Sequence, residues 1–542
     1  MQIPQHLDQQ LEYLNEIGVA LSAEPNIDSL LEQILVAAKT ITGADGGSLY
    51  LMNSERTALR FAIVRTDSIG LAYGGTSGQP IPFPELPLHH PDGTPNHSMV
   101  VVHAALTGES VNIADAYDAD GYDFSGTRKF DERTGYRSRS FLTVPMKNHE
   151  QEIIGVLQLL NALDPATGAV CTFSSASQQL ANSLASQAAV ALCNRQLIQQ
   201  LAELFESFIN LINLAIDEKS PHTGGHCQRV PELTMLIAEA IHEAREGPLA
   251  EFRMSDKDRY ELKIAGLLHD CGKVTTPVHV VDKATKLQSL NDRIDLVDTR
   301  FEVIRRDARI ACLEAVAAGI DPLAAKGSLE QQLEQMASDQ AFLHHANIGS
   351  EAMRPEDQQR VRDIAQRYRW HNGDGVMRDF LTEDEIENLS IRAGTLTTAE
   401  REVINHHIVA TIRMLEALPW PRHLLNVPEY AGGHHERMDG KGYPRGLTRS
   451  QMSVQARVMG IADIFEALTA KDRPYKKPMA LSQSLSIMAR FAATGHIDPD
   501  IFEVFVRSRA WLRYAERFLE ASQIDAVDID AILAEAHPPA RA

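Results

Sequence analysis

The sequence predicts a multidomain protein: an N-terminal α+β domain, a helical linker, and a C-terminal all-α domain carrying a helical insertion. Three observations carry this. The chain has 542 residues, too long for one ordinary domain and enough for about two to four. Strand-like and helical text mix before residue 174, and the text from Ser174 to Ile216 is continuous helix without Gly or Pro. A long, charged, helical stretch then separates two apolar helical regions rich in His and Asp.

The first domain opens on helical apolar spacing over 8–43 (Leu11, Leu14, Ile17, Leu21, then Leu30, Leu31, Ile34, Leu35, Ala38, Ile41). Strand-like text follows at Gly46–Leu51 and Leu59–Val64 around a polar turn, then at Val111–Ile113, Ser140–Met146 and Ile153–Leu160. In the linker, Leu197, Leu201, Leu204, Phe208, Leu211 and Ala215 alternate steps of four and three, a heptad seam. That seam fits a parallel dimer linker, or a helix packed on its own domain.

Composition bounds the function classes. A net charge of −21 argues against a general DNA, RNA or anionic-membrane surface. An anionic substrate would therefore need local positive charge. Cys171, Cys193, Cys227, Cys271 and Cys312 are widely spaced with no CxxC, so neither a zinc knuckle nor a disulfide framework is indicated. The start, MQIPQHLDQQLEYL, lacks a basic-then-apolar pattern, and no run nears about 18 apolar residues. A soluble cytoplasmic protein that spans no membrane is expected.

The run His434-His435-Glu436-Arg437-Met438-Asp439-Gly440-Lys441-Gly442-Tyr443-Pro444 organises the rest. Gly440, Gly442 and Pro444 break any helix, so the two histidines sit where an element ends and the backbone is held. Upstream, the apolar helix Tyr260–Leu268 delivers His269-Asp270; downstream, the apolar helix Ala456–Leu468 presents Asp463. Neutral imidazole is a common ligand for borderline metals, so these residues make sense as one metal cluster assembled by helices. One carboxylate has two oxygens, so Asp270 can bridge two cations while His269 binds one. If the helix continues past Asp270, Lys273 shares the face of His269 and points its ammonium at a bound phosphate. Arg473, Lys476 and Lys477 in an otherwise acidic chain fit a phosphate clamp.

Gly266 to Lys273, taken with His434 to Pro444 and the later Ala462-Asp463 to Arg473-Pro474-Tyr475 run, resembles the HD-GYP phosphodiesterases. These are HD-domain hydrolases that open cyclic di-GMP. The resemblance covers roughly 200–284 and 394–500. It implies an HD-GYP domain over 217–510, a helical insertion over 286–393 and a C-terminal helix and tail over 511–542. It also implies metal ligands His226, His269, Asp270, His407, His434, His435 and Asp463, with Asp270 and Lys273 catalytic. His222 stands where most members have tyrosine and some glutamate. It is a third-metal ligand or a tyrosine substitute contacting the pocket. The nitrogen-and-carboxylate set suits two or three divalent ions, iron or manganese ahead of zinc and magnesium. Lys273, Gly440, Gly442, Tyr443, Arg473 and Lys476 are the implied substrate-binding residues. Gly440–Pro444 also resembles a surface that meets diguanylate cyclase domains. His344-His345 and His371, in the insertion, repeat no ligand spacing and read as packing or surface residues. The implied activity is hydrolysis of cyclic di-GMP to pGpG and/or GMP. The alternatives are the related 3′,3′-cyclic GMP-AMP, or an idle nucleotide-binding and interaction protein.

Residues 8–195 resemble a GAF domain in order and text, giving a GAF-like sensor over 1–195 and a coiled-coil linker over 174–216 that joins a homodimer. Arg128 to Arg137 looks like the Asn-Lys-Phe-Asp-Glu region of cyclic-nucleotide-binding GAF domains, but no asparagine precedes Lys129 and the spacing is compressed. A small ligand in this domain, or dimer contacts alone, are both open.

Overall fold

The computed structural model describes residues 7–219, 225–349, 353–470 and 478–537. It divides into Met1–Phe205 and Glu206–Ala542.

The first unit begins with α1 (Leu7–Ala23) and α2 (Ile27–Thr42). The single helical pattern over 8–43 is broken here because Pro25 is followed by Asn26, whose side chain caps the Ser29 N–H and starts α2 afresh. Eight strands then form one antiparallel sheet: β1 (Ala44–Met52), β2 (Ala58–Thr66), β3 (Leu71–Gly74), β4 (Leu86–Pro87), β5 (Val111–Ile113), β6 (Phe141–Lys147), β7 (Ile153–Leu163) and β8 (Val170–Cys171). The order is β3-β2-β1-β7-β6-β5, with β4 on β2 and β8 on β7. Helices α3 (Val100–Thr107) and α4 (Ser125–Thr134) lie in the connections, and α5 (Ser175–Lys219) follows the sheet.

Strand alternation sorts the two faces. Leu49, Leu51, Leu157 and Leu159 join a core with Ile34 and Leu35 of α2 and Leu184 and Ala188 of α5. Tyr50 and Val156 face the other way and pack with Val101 and Val102 of α3. Gly47 is where α2 meets the sheet: a Cβ there would stand 2.8 Å from Leu35 Cδ1 and 3.0 Å from the Gln158 carbonyl. On the α3 face a cavity of about 550 Å³ is lined by Ser48, Tyr50, Phe61, Phe83, Phe130 and Gln158 among others.

The second unit takes in the end of α5 and then α6 (His226–Glu243), α7 (Asp256–Leu268) and the short α8 (Val278–Val281). After the insertion come α13 (Thr398–Glu416), α14 (Val427–Gly432) and α15 (Val454–Thr469). A Ser255/Asp258 capping box starts α7, and a Thr397/Glu400 box starts α13. Gly266 lets α7 approach α6, since a Cβ would sit 3.2 Å from Pro231 Cα.

The insertion holds α9 (Ile294–Ala317), α10 (Pro322–Asn347), α11 (Pro355–Arg367) and α12 (Glu383–Leu389) around its own core of Val297, Phe301, Leu343, Val361, Ile364 and Phe380. It is not all helix. Strands β9 (Arg369–His371) and β10 (Met377–Asp379) make a hairpin whose turn, Asn372 to Val376, is closed by the Asn372 side chain. Two buried lysines tie its ends to the domain. Lys283 Nζ meets Glu400 at 2.7 Å and Asn388 at 2.7 Å; Lys286 Nζ donates to the Leu389 and Ile391 carbonyls at 3.2 and 2.7 Å. His344 pairs with Asp298 and His371 with Asp307, both on the surface.

The chain ends in α16 (Leu481–Ala493), α17 (Pro499–Arg507), α18 (Ala510–Phe518) and α19 (Ile529–Ala536). Within the expected C-terminal helix and tail from 511, two helices are described, and they pack on the rest of the second unit. Tyr514 is buried against Phe465 of α15 with ring centroids 5.8 Å apart, Gln523 donates to the Thr469 and Met479 carbonyls, and Ser486 bonds Glu535.

Candidate metal centre

Asp270 lies between two sets of imidazoles. Its Oδ2 is 3.1 Å from His226 Nε2 and 3.3 Å from His269 Nε2, and its Oδ1 is 3.3 Å from His407 Nε2. His226 Nε2 is also 3.3 Å from Asp463 Oδ1 and from His269 Nε2. On the far side His435 Nε2 is 3.2 Å from His407 Nε2, and the His434 and His435 rings are 4.2 Å apart. His226, His269 and Asp270 form one group that can hold a metal ion, and His407, His434 and His435 another.

The spacing has a simple reading. Ligands about 2.1 Å from one cation at right angles stand about 3 Å from each other. Oδ1 of Asp270 and Nε2 of His434 are buried without a hydrogen-bond partner among the described residues, while Asp270 Oδ2 pairs with Lys273. Orphaned acceptors at 2–3% exposure are costly unless something electrophilic meets them. The residues therefore fit two divalent cations sharing Asp270.

The other ring nitrogens decide which tautomer faces inward. Nδ1 of His269, His407 and His434 each bonds a backbone carbonyl three residues back, Gly266, Ile404 and Ala431, at 2.7, 2.5 and 2.6 Å. His226 Nδ1 meets Glu466 Oε2 at 2.6 Å. A carbonyl can only accept, so Nδ1 carries the proton and the Nε2 lone pair points into the centre. Glu466 was not found from sequence. It lies one turn after Asp463 on α15, 1% exposed, and its second oxygen takes two bonds from Arg229 at 2.8 and 2.7 Å. An i, i+3 Asp-x-x-Glu pair on an otherwise apolar helix was the available signal.

Electrostatics follow burial and neighbours. Burial would raise the Asp270 and Asp463 carboxyls, but Lys273 and His269 hold the first, and His226 the second, well below the usual range. Burial, with neighbouring histidines, pushes His434 well down and His435 to about 4, so both rings are neutral. Burial also works against a charged His226, yet Glu466, Asp270 and Asp463 keep it well above its ordinary value. A cation there must displace a proton.

Lys273 reaches the centre by another route than a continued helix. Helix α7 stops at Leu268, and a 3₁₀ turn, Cys271–Thr275, brings Lys273 Nζ to 2.5 Å from Asp270 Oδ2. That turn needs Gly272, where a Cβ would fall 2.0 Å from the His407 carbonyl. His407 is buried and His406 exposed. Tyr443 stacks on His435 with centroids 4.9 Å apart. Gly440 has φ of 75°, and a Cβ on Gly442 would stand 2.4 Å from Arg437 N. Glu436 accepts from Arg445 N and Leu447 N and holds this loop, while Asp439 bonds Arg437 and the Lys441 amide. His222, Arg473 and Lys476 lie outside the described residues.

In the first unit, Lys129 is exposed and Asp131 is buried, bonded to Ser138 N, Ser138 Oγ and Tyr117 OH. Of the cyclic-nucleotide-like stretch only Phe130 lines the cavity.

Fold and site together define the class: a GAF domain joined to an HD domain of the HD-GYP type. A GAF domain model matches residues 26–192, and HD domain models match 223–318 and 383–501. A 3′3′-cGAMP-specific phosphodiesterase 1 of Vibrio cholerae is 45% identical over 82 residues, 15% of this chain and 19% of that protein. A cyclic di-GMP phosphodiesterase of Pseudomonas aeruginosa is 37% identical over 117 residues, 22% and 27%. One from Thermotoga maritima is 31% identical over 121 residues, 22% and 32%. The chain thus spans less than a third of these relatives' lengths. No helix among the described residues is long and apolar enough to cross a membrane.

Proposed function

We propose that this chain is a metal-dependent phosphodiesterase that hydrolyses cyclic di-GMP to pGpG and/or GMP under control of its GAF domain. The observation that carries it is Asp270, buried, with its two oxygens facing separate imidazole sets. When bound, a pair of divalent cations supplies Lewis acidity to the scissile phosphodiester and to the attacking water. His226, His269, Asp270 and Asp463 would hold one, and Asp270, His407, His434 and His435 the other. Lys273 offers an ammonium to charge building on the phosphoryl oxygens. Tyr443 backs the His435 ring. Hydrolysis of 3′,3′-cyclic GMP-AMP is the second reading, favoured by the 45% identity to the Vibrio cholerae enzyme.

Protein purified anaerobically with iron or manganese is incubated with each dinucleotide, and products are separated by chromatography. Cleavage of cyclic di-GMP is expected; no cleavage of either substrate by metal-loaded protein overturns the reading. Elemental analysis of the same samples counts the ions. Three per chain, falling to two in His222→Phe, would give His222 a ligand's role.

The chain is further read as a homodimer joined along α5. Leu197, Leu201, Leu204, Phe208 and Leu211 are all exposed, up to 64%, while Ile209 and Ile216 are buried within their own unit. A heptad stripe of that length is covered most simply by the same stripe of a second copy. The GAF cavity suits a small uncharged ligand with an aromatic face: Tyr50, Phe61, Phe83 and Phe130 follow one another at 4.5–6.3 Å between rings, and Asp123 is its one charged lining residue. A rise in melting temperature with cyclic GMP or cyclic AMP would refute that.

A further inference from the structure

The last turn of α5 holds Asp217 and Lys219, polar residues that the proposed chemistry does not use. Asp217 Oδ2 accepts the Gly225 N–H at 3.2 Å, directly before His226 and the first turn of α6. Lys219 Nζ donates to the Val274 carbonyl at 2.5 Å and the Lys273 carbonyl at 3.3 Å, in the 3₁₀ turn that begins after Asp270. One helix end therefore touches both backbone segments that carry the first metal group. We propose that Asp217 and Lys219 are positioning residues for the metal centre, tying the end of α5 to the segments that place His226 and Asp270. This rests on the reading of the site as a metal-dependent one.

The placement argues against incidental surface pairing. A carboxylate in the last turn of a helix opposes that helix's own dipole, so Asp217 gains nothing from α5. It lies instead at the start of α6, where Gly225 has φ of 80° and supplies no side-chain cap. Lys219 has the sign that suits a helix C-terminus, but the oxygens it meets belong to residues 273 and 274 rather than to α5. The same helix also meets the domain through a Glu206–Lys263 pair at 2.9 Å, and its Ile209 and Ile216 are buried. Asp217 and Lys219 are therefore not the helix's sole ties to the domain. Asp217 holds the peptide next to His226 and Lys219 holds the turn that follows Asp270, where a shift of a few tenths of an ångström alters the coordination geometry.

The full-length chain is tested as Asp217→Ala, Asp217→Asn, Lys219→Met, Lys219→Arg and Glu206→Gln. Mn²⁺ affinity is read by calorimetric titration and turnover is measured separately. Asp217→Ala and Lys219→Met are expected to bind Mn²⁺ about tenfold more weakly and to lose kcat rather than raise KM. Asp217→Asn keeps an oxygen for Gly225, and Lys219→Arg keeps a donor; each is expected to recover most of the affinity. Glu206→Gln, which removes only a docking contact, is expected to match the wild type. Wild-type Mn²⁺ affinity in both Asp217→Ala and Lys219→Met overturns the proposal. So does an equal loss in Glu206→Gln, which would make all three docking contacts. If Lys219→Met does not fold, Asp217→Ala decides alone. A wild-type protein that binds Mn²⁺ but cleaves neither dinucleotide removes the phosphodiesterase reading and leaves this one standing. A wild type that binds no Mn²⁺ overturns both.

Discussion

Glu466→Gln tests the assignment of the centre without touching a ligand. The wild-type carboxylate is filled on both sides, by His226 Nδ1 at 2.6 Å and by Arg229 at 2.7–2.8 Å. A glutamine of the same shape has one acceptor and one donor, and neither orientation serves. With its oxygen toward Arg229, the amide N–H₂ faces His226 Nδ1, which must then accept. The imidazole proton moves to Nε2 and blocks the nitrogen aimed at Asp270 and Asp463. With its oxygen toward His226, the N–H₂ group faces the guanidinium, two donors in contact in a buried place. Loss of such an outer partner typically costs 10–100-fold in metal affinity or activity, about 1.4–2.7 kcal/mol. The assay is Mn²⁺ titration by calorimetry with elemental analysis, checked by circular dichroism for retained fold. Affinity within about twofold of wild type would refute the claim that Glu466 fixes the inward-facing nitrogen of His226.

Three further outcomes are expected. Asp270→Ala should lose both metals and at least about a thousandfold in turnover, since one carboxylate serves both groups; retention of both ions with normal turnover would sink the shared-ligand assignment. Four residues inserted after Gln200 turn the downstream helix by about 40° net, and seven leave it about 20° short of register. Activity or its GAF response should suffer with four and largely survive seven, and a protein that is monomeric by light scattering, or indifferent to both, removes the linker from control. Burial holds the Lys286 ammonium down to about 8 from 10.5, so between those values the unfolded chain binds more protons and stability rises with pH. Relative to Lys286→Met, the wild type should gain about 1–3 kcal/mol across pH 8–10 in denaturant unfolding, the range allowing for water reaching the site; parallel curves for the two proteins would count against it.

Much of the architecture was legible because its signals are local. Strand alternation and the long Gly-free helix are written in neighbouring residues, and each corresponds to an element of the fold. The clustering of His269-Asp270 and His434-His435 was legible because adjacent His-His and His-Asp pairs beside helix breakers have few other uses. Less visible were features that depend on distant partners. The β9–β10 hairpin is three residues a side and closes on an Asn side chain, too short for a periodic signal. The packing of α18 was hidden because an amphipathic helix does not say what covers it, here α15 and Glu232 of α6. Glu466 looked like one acid in an apolar helix. Its meaning lies in His226 and Arg229, more than two hundred residues earlier in the chain.

The remaining question is why His269 and His434 sit where helices stop. Helix α7 ends at Leu268 and α14 at Gly432, and a helix C-terminus leaves its last carbonyls without intrahelical partners. Gly266 and Ala431 are such carbonyls, and each receives the Nδ1 proton of the histidine three residues on. A group that would otherwise need water thus fixes both the ring orientation and the tautomer of the ligand. His407 is the exception, since it lies inside α13 and shares the Ile404 carbonyl with the helix's own ladder. Its position is fixed instead from across the site, where Gly272 lets the Asp270 turn press against the His407 carbonyl and donate a hydrogen bond from Gly272 N to Thr411 Oγ1 at 2.9 Å. A side chain at 272 would drive these segments apart and pull Asp270 Oδ1 away from His407 Nε2. The shared carboxylate therefore depends on a glycine that carries no chemistry of its own.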